Sequence, residues 1–187
     1  MKSPKKRASE QDRRVSKISG FRIRPNSGAI SGYKGDLGGP DIFVETKTRM
    51  TEHDYLLIQQ DWIDKARSQA FSMGMRIYLL VISAGDAQDY VVIEHKVLTE
   101  NNFGLQFAYL VPDMLSDPRQ EYRIPLKRID QAIQARRTST EEPPCFRLLH
   151  SNNNLGMTIM YLEDFKDYCD LRQSNQNLFE LGPEFLS

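Results

Sequence analysis

The 187-residue sequence is poor in the side chains that most transition-metal and redox chemistry needs, with two cysteines and three histidines. Cys145 and Cys169 lie far apart with no second pair. That spacing excludes a zinc ribbon and a disulfide framework and leaves two reduced thiols as the expectation. His53, His95 and His150 are scattered at spacings that build no finger-type or helical metal site. Neither serine nor cysteine sits in a recognisable nucleophile setting. Any metal must then be a hard cation held by carboxylates. Long apolar runs are also absent. None approaches the ~20 residues needed to cross a bilayer, so no membrane partner is expected. The opening stretch MKSPKKRASEQDRR is basic. It lacks the apolar segment and small-residue cleavage site of a secretory signal, which puts the expected place of action in the cytoplasm.

Net charge is the last absence. The chain has 25 Lys+Arg and 25 Asp+Glu, which cancel. The balance hides an asymmetry, because residues 1–50 hold 12 basic and 5 acidic side chains and the remainder is acidic by the same excess of seven. A basic N-terminal quarter is the electrostatic footprint of a polyanion partner, and the acidic remainder serves solubility or faces elsewhere. With 40% hydrophobic and 27% charged residues the composition is that of a globular domain with a real core.

Along the chain, residues 1–8 read as a flexible basic tail and Ser9 as the cap of a short helix running to about Ile18 and ended by Gly20. Phe21 to Arg24 alternates as a short strand, Pro25 to Gly39 is a Gly/Ser/Asn-rich loop or hairpin, and Ile42 to Lys47 is a β-branched strand. Tyr55, Ile58, Trp62, Ile63, Ala66, Ala70 and Phe71 follow a helical spacing that Gly74 stops. Ile77 to Ile82 is a run of the kind buried on both faces, and Tyr90 to Ile93 is a further strand. Beyond residue 100 the pattern gives a strand over Phe103 to Val111 and a helix over Leu126 to Arg136. A linker over Ser139 to Pro144 follows, then a hairpin of Phe146 to Leu149 with Met157 to Leu162 around an Asn-rich turn. A closing helix covers Asp164 to Leu171, and the last dozen residues read as frayed. The order suggests a mixed α/β layer architecture.

Chemistry concentrates between Gly35 and Lys47. In a strand, residues two apart share a face, so Glu45 and Lys47 project together. Asp36, nine positions earlier across a Gly/Pro loop, has enough chain to bend back beside Glu45. Asp41 is an alternative first carboxylate with little loop to fold back. Two neighbouring carboxylates repel unless a cation lies between them, and Mg2+, or Mn2+, is the natural occupant. Such an ion polarises a phosphoryl oxygen and lowers the pKa of a water. Lys47 then orients that water or neutralises charge developing on the phosphate. An acidic-x-Lys pair on a strand is by itself common and usually marks a solvated edge or a cross-strand ion pair. The surrounding text is what lifts it above that reading.

Arg24-Pro25-Asn26-Ser27-Gly28-Ala29, then Lys34-Gly35-Asp36, Val44-Glu45-Thr46-Lys47, a helix carrying Trp62, Lys65 and Ala70, and the strand Ile77–Ile82 together resemble the PD-(D/E)xK nuclease superfamily. The nearest branch is that of phage and archaeal Holliday-junction resolvase-like endonucleases. The resemblance covers about residues 9–95, and the residues after about 100 match nothing. It implies a restriction-endonuclease-like α/β fold over residues 9–98, a mixed central sheet flanked by helices. Residues 99–187 are then an additional α+β C-terminal extension of unknown role, packed on that core or apart from it. It also implies that Asp36 and Glu45 are metal ligands, joined by the Thr46 carbonyl, and that Lys47 is the catalytic lysine. An acidic residue on the first helix belongs to the pattern, and Glu10 and Asp12 both qualify. Ser27 resembles a serine at the scissile region of the resolvase branch, and an ordinary turn residue is the other reading. Gln59 and Gln60 lie where related nucleases place a polar active-site residue. Arg24, Lys34 and Arg49 flank the same loops and are expected on phosphates. Trp62 fits a core anchor better than a base-stacking platform.

The function so implied is a metal-dependent DNA endonuclease acting on branched DNA, of phage or prokaryotic origin and working as a homodimer, because a junction needs two coordinated nicks. Duplex DNA is the other substrate. A restriction-like, nicking or flap- and end-processing nuclease keeps the fold and changes the substrate. A non-catalytic DNA-binding module of the same fold is the remaining alternative.

Overall fold

Ser3 and Pro4 open the first helix. The computed structural model describes residues 3–24, 35–39, 41–48, 53–84, 88–101, 103, 111–116, 120–138, 143–150 and 156–180. Helix α1 (Pro4–Ser19) starts with the Ser3 hydroxyl accepting from the Lys6 N–H at 3.4 Å, and ends at Gly20, whose φ of 75° lets its N–H return to the Ser16 carbonyl. The flexible tail expected over residues 1–8 is therefore corrected. Ser followed by Pro at the first helical position is a stronger start signal than Ser9, and residues 4–8 are helical.

Three strands then form an antiparallel meander: β1 (Arg22–Ile23), β2 (Leu37–Gly38) and β3 (Ile42–Thr48). Arg22 pairs with Gly38, and Leu37 with Val44. Strand β4 (Tyr55–Gln59) leaves this sheet, and α2 (Gln60–Ser72) carries the chain back to β5 (Ile77–Ala84). β5 lies parallel to β3 from Ile42↔Ile77 to Thr48↔Ser83. The helix expected from Tyr55 is thus shorter at its start. Tyr-Leu-Leu-Ile alternates as well as it repeats at helical spacing, and burial of Leu56 and Ile58 against a partner strand decides for β. Phe71, read as part of the apolar stripe, is 61% exposed.

The rest of the chain adds four strands to the same sheet and one outside it. It comprises β6 (Gln88–Glu94), α3 (His95–Glu100), β7 (Met114–Ser116), β8 (Glu121–Pro125), α4 (Leu126–Arg137), β9 (Phe146–His150), β10 (Gly156–Tyr161) and α5 (Leu162–Glu180). The eight strands run in the order β1-β2-β3-β5-β6-β10-β9-β7, while β4 and β8 make a separate two-stranded ribbon. The expected division at residue 98 falls inside α3. β10 lies antiparallel along β6 from Met157↔Glu94 to Tyr161↔Tyr90, so the distal half extends the sheet instead of forming an appended unit. One cluster of buried side chains joins Val15, Phe43, Ile82, Ile93, Ile159 and Phe165. The β9–β10 hairpin and α4 lie where the sequence pattern puts them, and α5 runs beyond the expected end to Glu180. The strand expected over 103–111 lies almost wholly outside the described residues. Among the described residues no helix is long and apolar enough to cross a membrane. Both cysteines are buried free thiols.

Candidate active site

Asp36 owes its position to its neighbours on both sides. Gly35 has a φ of 81°, and a Cβ there would meet the Phe43 ring at 2.7 Å, so only glycine lets the chain pass so close to β3. The Asp36 backbone is then tied twice, its N–H donating to the Val44 carbonyl at 3.0 Å and its carbonyl accepting from the Arg24 N–H at 2.9 Å. So held, the side chain turns onto β3. Asp36 Oδ2 accepts from the Thr46 N–H at 2.8 Å and from the Thr46 hydroxyl at 3.0 Å.

The same hydroxyl lies 2.8 Å from Asp12 Oδ1 on α1. A hydroxyl has one proton and can donate to one acceptor at a time. With the proton given to Asp36, the contact with Asp12 is favourable only when a proton or a cation accompanies Asp12. The Asp12 carboxyl is held above the ordinary aspartate range. Burial is the main cause; the Thr46 hydrogen bond lowers it, and the negative charges of Asp36 and Glu45 raise it further. Two residues are about 200° of helix, so Glu10 stands on the other side of α1 from Asp12 and is part-exposed. Of the two acids expected on the first helix, Asp12 is the one at β3.

Glu45 and Lys47 share the other face of β3, as the alternation requires. Lys47 Nζ is 2.8 Å from Glu45 Oε1, and Lys65 Nζ, from α2, is 3.6 Å from the same oxygen. Glu45 is buried, whereas the Lys65 side chain is 57% exposed. The Lys47 ammonium also stands 5.6 Å from the centroid of the half-buried Trp62 ring, so Trp62 packs against the core and holds the lysine at once.

Beneath both lies Gln11, 1% exposed. Its amide donates to Val81 O at 3.1 Å and to Lys47 O at 3.5 Å, and its Oε1 accepts from the Thr48 hydroxyl. One side chain thus bridges the parallel strands β3 and β5 beside the lysine. Arg14 fixes the same helix by a bidentate pair with Asp89 at 2.6 and 2.9 Å, and reaches Ser83 at 3.0 Å. Neither Gln11 nor Arg14 stands out in the sequence. The heptad-like recurrence of Gln11, Val15 and Ile18 is the one signal that puts Gln11 on the buried stripe.

Other expected site residues lie elsewhere. Arg24, read as a phosphate contact, turns inward, donating to the sulfurs of Met73 and Met75 at 3.3 and 3.4 Å and covering the Phe43 ring at 6.0 Å. Burial lowers its pKa. Gln59, expected at the start of the long helix, ends β4 and donates to Glu121 at 3.4 Å. It lines a cleft of about 450 Å³ with Gln60, Asp61, Asp64, Gln120 and Glu121, an acidic setting unsuited to phosphate. Ser27, Lys34 and Arg49 lie outside the described residues.

The donor set of Asp12, Asp36, Glu45 and the Thr46 carbonyl is all hard oxygen and fits Mg2+ or Mn2+ chemically. In the present arrangement, among the described residues, no three His, Cys, Asp or Glu side chains gather closely enough to hold an ion. Lys47 and Lys65 pair with Glu45, and the Thr46 N–H and hydroxyl donate to Asp36. Comparison with protein-family models, curated proteins and solved structures finds no match to this chain.

Proposed function

We propose that this protein is a metal-dependent DNA endonuclease of the PD-(D/E)xK type, acting on branched DNA in the manner of Holliday-junction resolvases. The observation that carries the reading is the meeting of Asp12, Asp36, Glu45 and Lys47 around one strand, β3. The path α1, antiparallel β1-β2-β3, α2, then β5 parallel to β3 supports it, because the restriction-endonuclease-like core implied by the motifs needs that order. Two anionic groups beside a phosphate have no use in a protein that only binds DNA.

Asp36, Glu45 and the Thr46 carbonyl would hold the divalent cation, with Asp12 beside them. A bound Mg2+ or Mn2+ supplies Lewis-acid polarisation of the scissile phosphoryl group and a lowered pKa for a water. Lys47 neutralises charge as it grows on the phosphate and hydrogen-bonds the attacking water, and Trp62 keeps its ammonium at the face of β3. Thr46 orients Asp36 through both N–H and hydroxyl. Gln11 and Arg14 hold α1, and hence Asp12, in register with β3.

The test is a cleavage panel of four-way junction, flap, duplex and single strand with Mg2+ or Mn2+. Lys47→Ala and Glu45→Gln should lower kcat by 10²-fold or more, within the range for loss of one charge-stabilising group, while DNA affinity stays within a few-fold of the parent. Undiminished cleavage by folded Lys47→Ala sinks the assignment. Preference for the junction requires a two-fold symmetric dimer, and a strict monomer in sedimentation at working concentration argues for the nicking or flap alternatives.

A further inference from the structure

We propose that the outer face of α1 is the surface along which the DNA backbone lies, delivering the scissile phosphate to the Asp12 side of the helix. This rests on the nuclease reading and names the docking element that it lacks, since Arg24 and Gln59 are turned to other work. The inward face of α1 carries Gln11, Val15 and part-buried Ile18. At about 100° per residue, Lys6, Arg13 and Lys17 then fall within about 40° of one another on the opposite side. Lys5 lies nearer the Asp12 edge, one heptad before it. All four are exposed, and none makes an ion pair with the other described residues.

That grouping sets α1 apart from the rest of the molecule. Arg14, Arg67, Arg123, Arg136, Arg137 and Lys166 are each matched by a carboxylate. Elsewhere among the described residues such cations are fewer: Lys96 stands singly and Lys127 has only Arg128 beside it on its helix. Only on α1 do the described residues present four unmatched cations on one continuous surface, with part-exposed Glu10 as the acid at its margin. From Lys6 to Lys17 the stripe spans about 16 Å of helix axis. DNA presents one phosphate per 3.4 Å along each strand, so a stripe of that length faces a run of about four or five phosphates. Lysines and arginines on a helix read such a run through charge, without reading sequence. Ser9 and Ser16, between the stripe and Asp12, add hydroxyls and no bulk, so the backbone can lie close.

The experiment is the salt dependence of binding, without divalent metal, of a labelled four-way junction and of a duplex with equal strand length. The variant is Lys5→Gln/Lys6→Gln/Arg13→Gln/Lys17→Gln. Glutamine is a good helix former, and circular dichroism checks that α1 persists. Each lost phosphate contact flattens the slope of log K against log[salt] by about 0.9. The expected change is therefore a slope smaller by about three to four, with affinity at 0.1 M salt reduced at least tenfold. Lys96→Gln/Lys127→Gln should keep the parent slope, as should the variant Lys5→Arg/Lys6→Arg/Arg13→Lys/Lys17→Arg. A quadruple Gln variant that keeps the parent slope overturns the proposal, and so does one that loses affinity without a change of slope. A parent protein that binds neither DNA fails the nuclease reading itself, whereas a parent that binds and cleaves beside an unchanged variant fails this inference alone.

Discussion

Replacing Thr46 by valine removes one hydroxyl from the centre of the candidate site and leaves its shape. Both residues are β-branched and suit a strand, so β3 keeps its pairing with β5. The Thr46 N–H still donates to Asp36 at 2.8 Å, and the lost contacts are the hydroxyl's at 3.0 Å to Asp36 and 2.8 Å to Asp12. A hydrogen bond to a charged group contributes about 1.5–3 kcal/mol, and one proton serves both carboxylates, so the loss is counted once. The extra methyl group of valine offsets up to about 0.8 kcal/mol. The metal-free protein should thus be destabilised by about 1–2 kcal/mol at pH 7. At about 2–4 °C per kcal/mol for a chain of this size, Tm should fall by about 2–8 °C. The two carboxylates, now without their shared donor, should gain more from a cation. The Tm rise on adding Mn2+ should therefore be larger in Thr46→Val than in the parent. Differential scanning fluorimetry with and without Mn2+ reads both quantities. A variant that melts with the parent and gains equally from Mn2+ would refute the idea that this hydroxyl holds the carboxylates together.

Other outcomes follow from the same geometry. Because the Asp12 carboxyl is held above its unfolded value of 3.8, its ionisation costs the folded state stability above that pH. Asp12→Asn should then stabilise the metal-free protein at pH 7, and the advantage should shrink as pH falls through the raised folded value and be gone below 3.8. Urea unfolding across pH checks the sign. Lys65→Met removes one of two ammoniums competing for Glu45 and should tighten Mn2+ binding in calorimetry while lowering kcat/KM on DNA; weaker Mn2+ binding contradicts the placement. His150, buried beside Tyr122 with Glu94 nearby, has its pKa lowered by burial. Its neutral form belongs to the folded state, so stability should drop as pH falls below about 6.5, the unfolded histidine value. His150→Gln should flatten that limb, and an unaltered limb assigns it to another group.

Short-range signals in the sequence went as far as residues that carry their own signature. β3 and β5 are apolar runs with β-branched residues, and the strand alternation alone puts Glu45 and Lys47 together. The Asp36 loop needed only Gly35 and enough chain. What stayed illegible depended on partners distant in sequence. Whether Tyr55 to Gln59 is helix or strand is decided by β8, more than sixty residues later. The choice between Glu10 and Asp12 depends on the roll of α1, which is set by Arg14 on Asp89 and Gln11 on two carbonyls. Arg24 looked like a phosphate ligand because charge is visible in a sequence and the sulfurs of Met73 and Met75 that take it inside are not marked as its partners. The distal half looked separate because no motif crosses residue 100, although a strand ladder does.

That ladder limits how the protein can be divided. β6 carries Asp89, the anchor of α1, and gives its other edge to β10. A fragment ending near residue 98 would keep every residue of the candidate site and leave Tyr90, Val91, Val92 and Ile93 on an uncovered apolar edge, the kind of surface that recruits strands from other molecules. The distal half therefore covers the edge that the half with the candidate site would leave open. Sequence change in β10 or β9 far from any carboxylate should be felt first as insolubility, and only through that as lost activity.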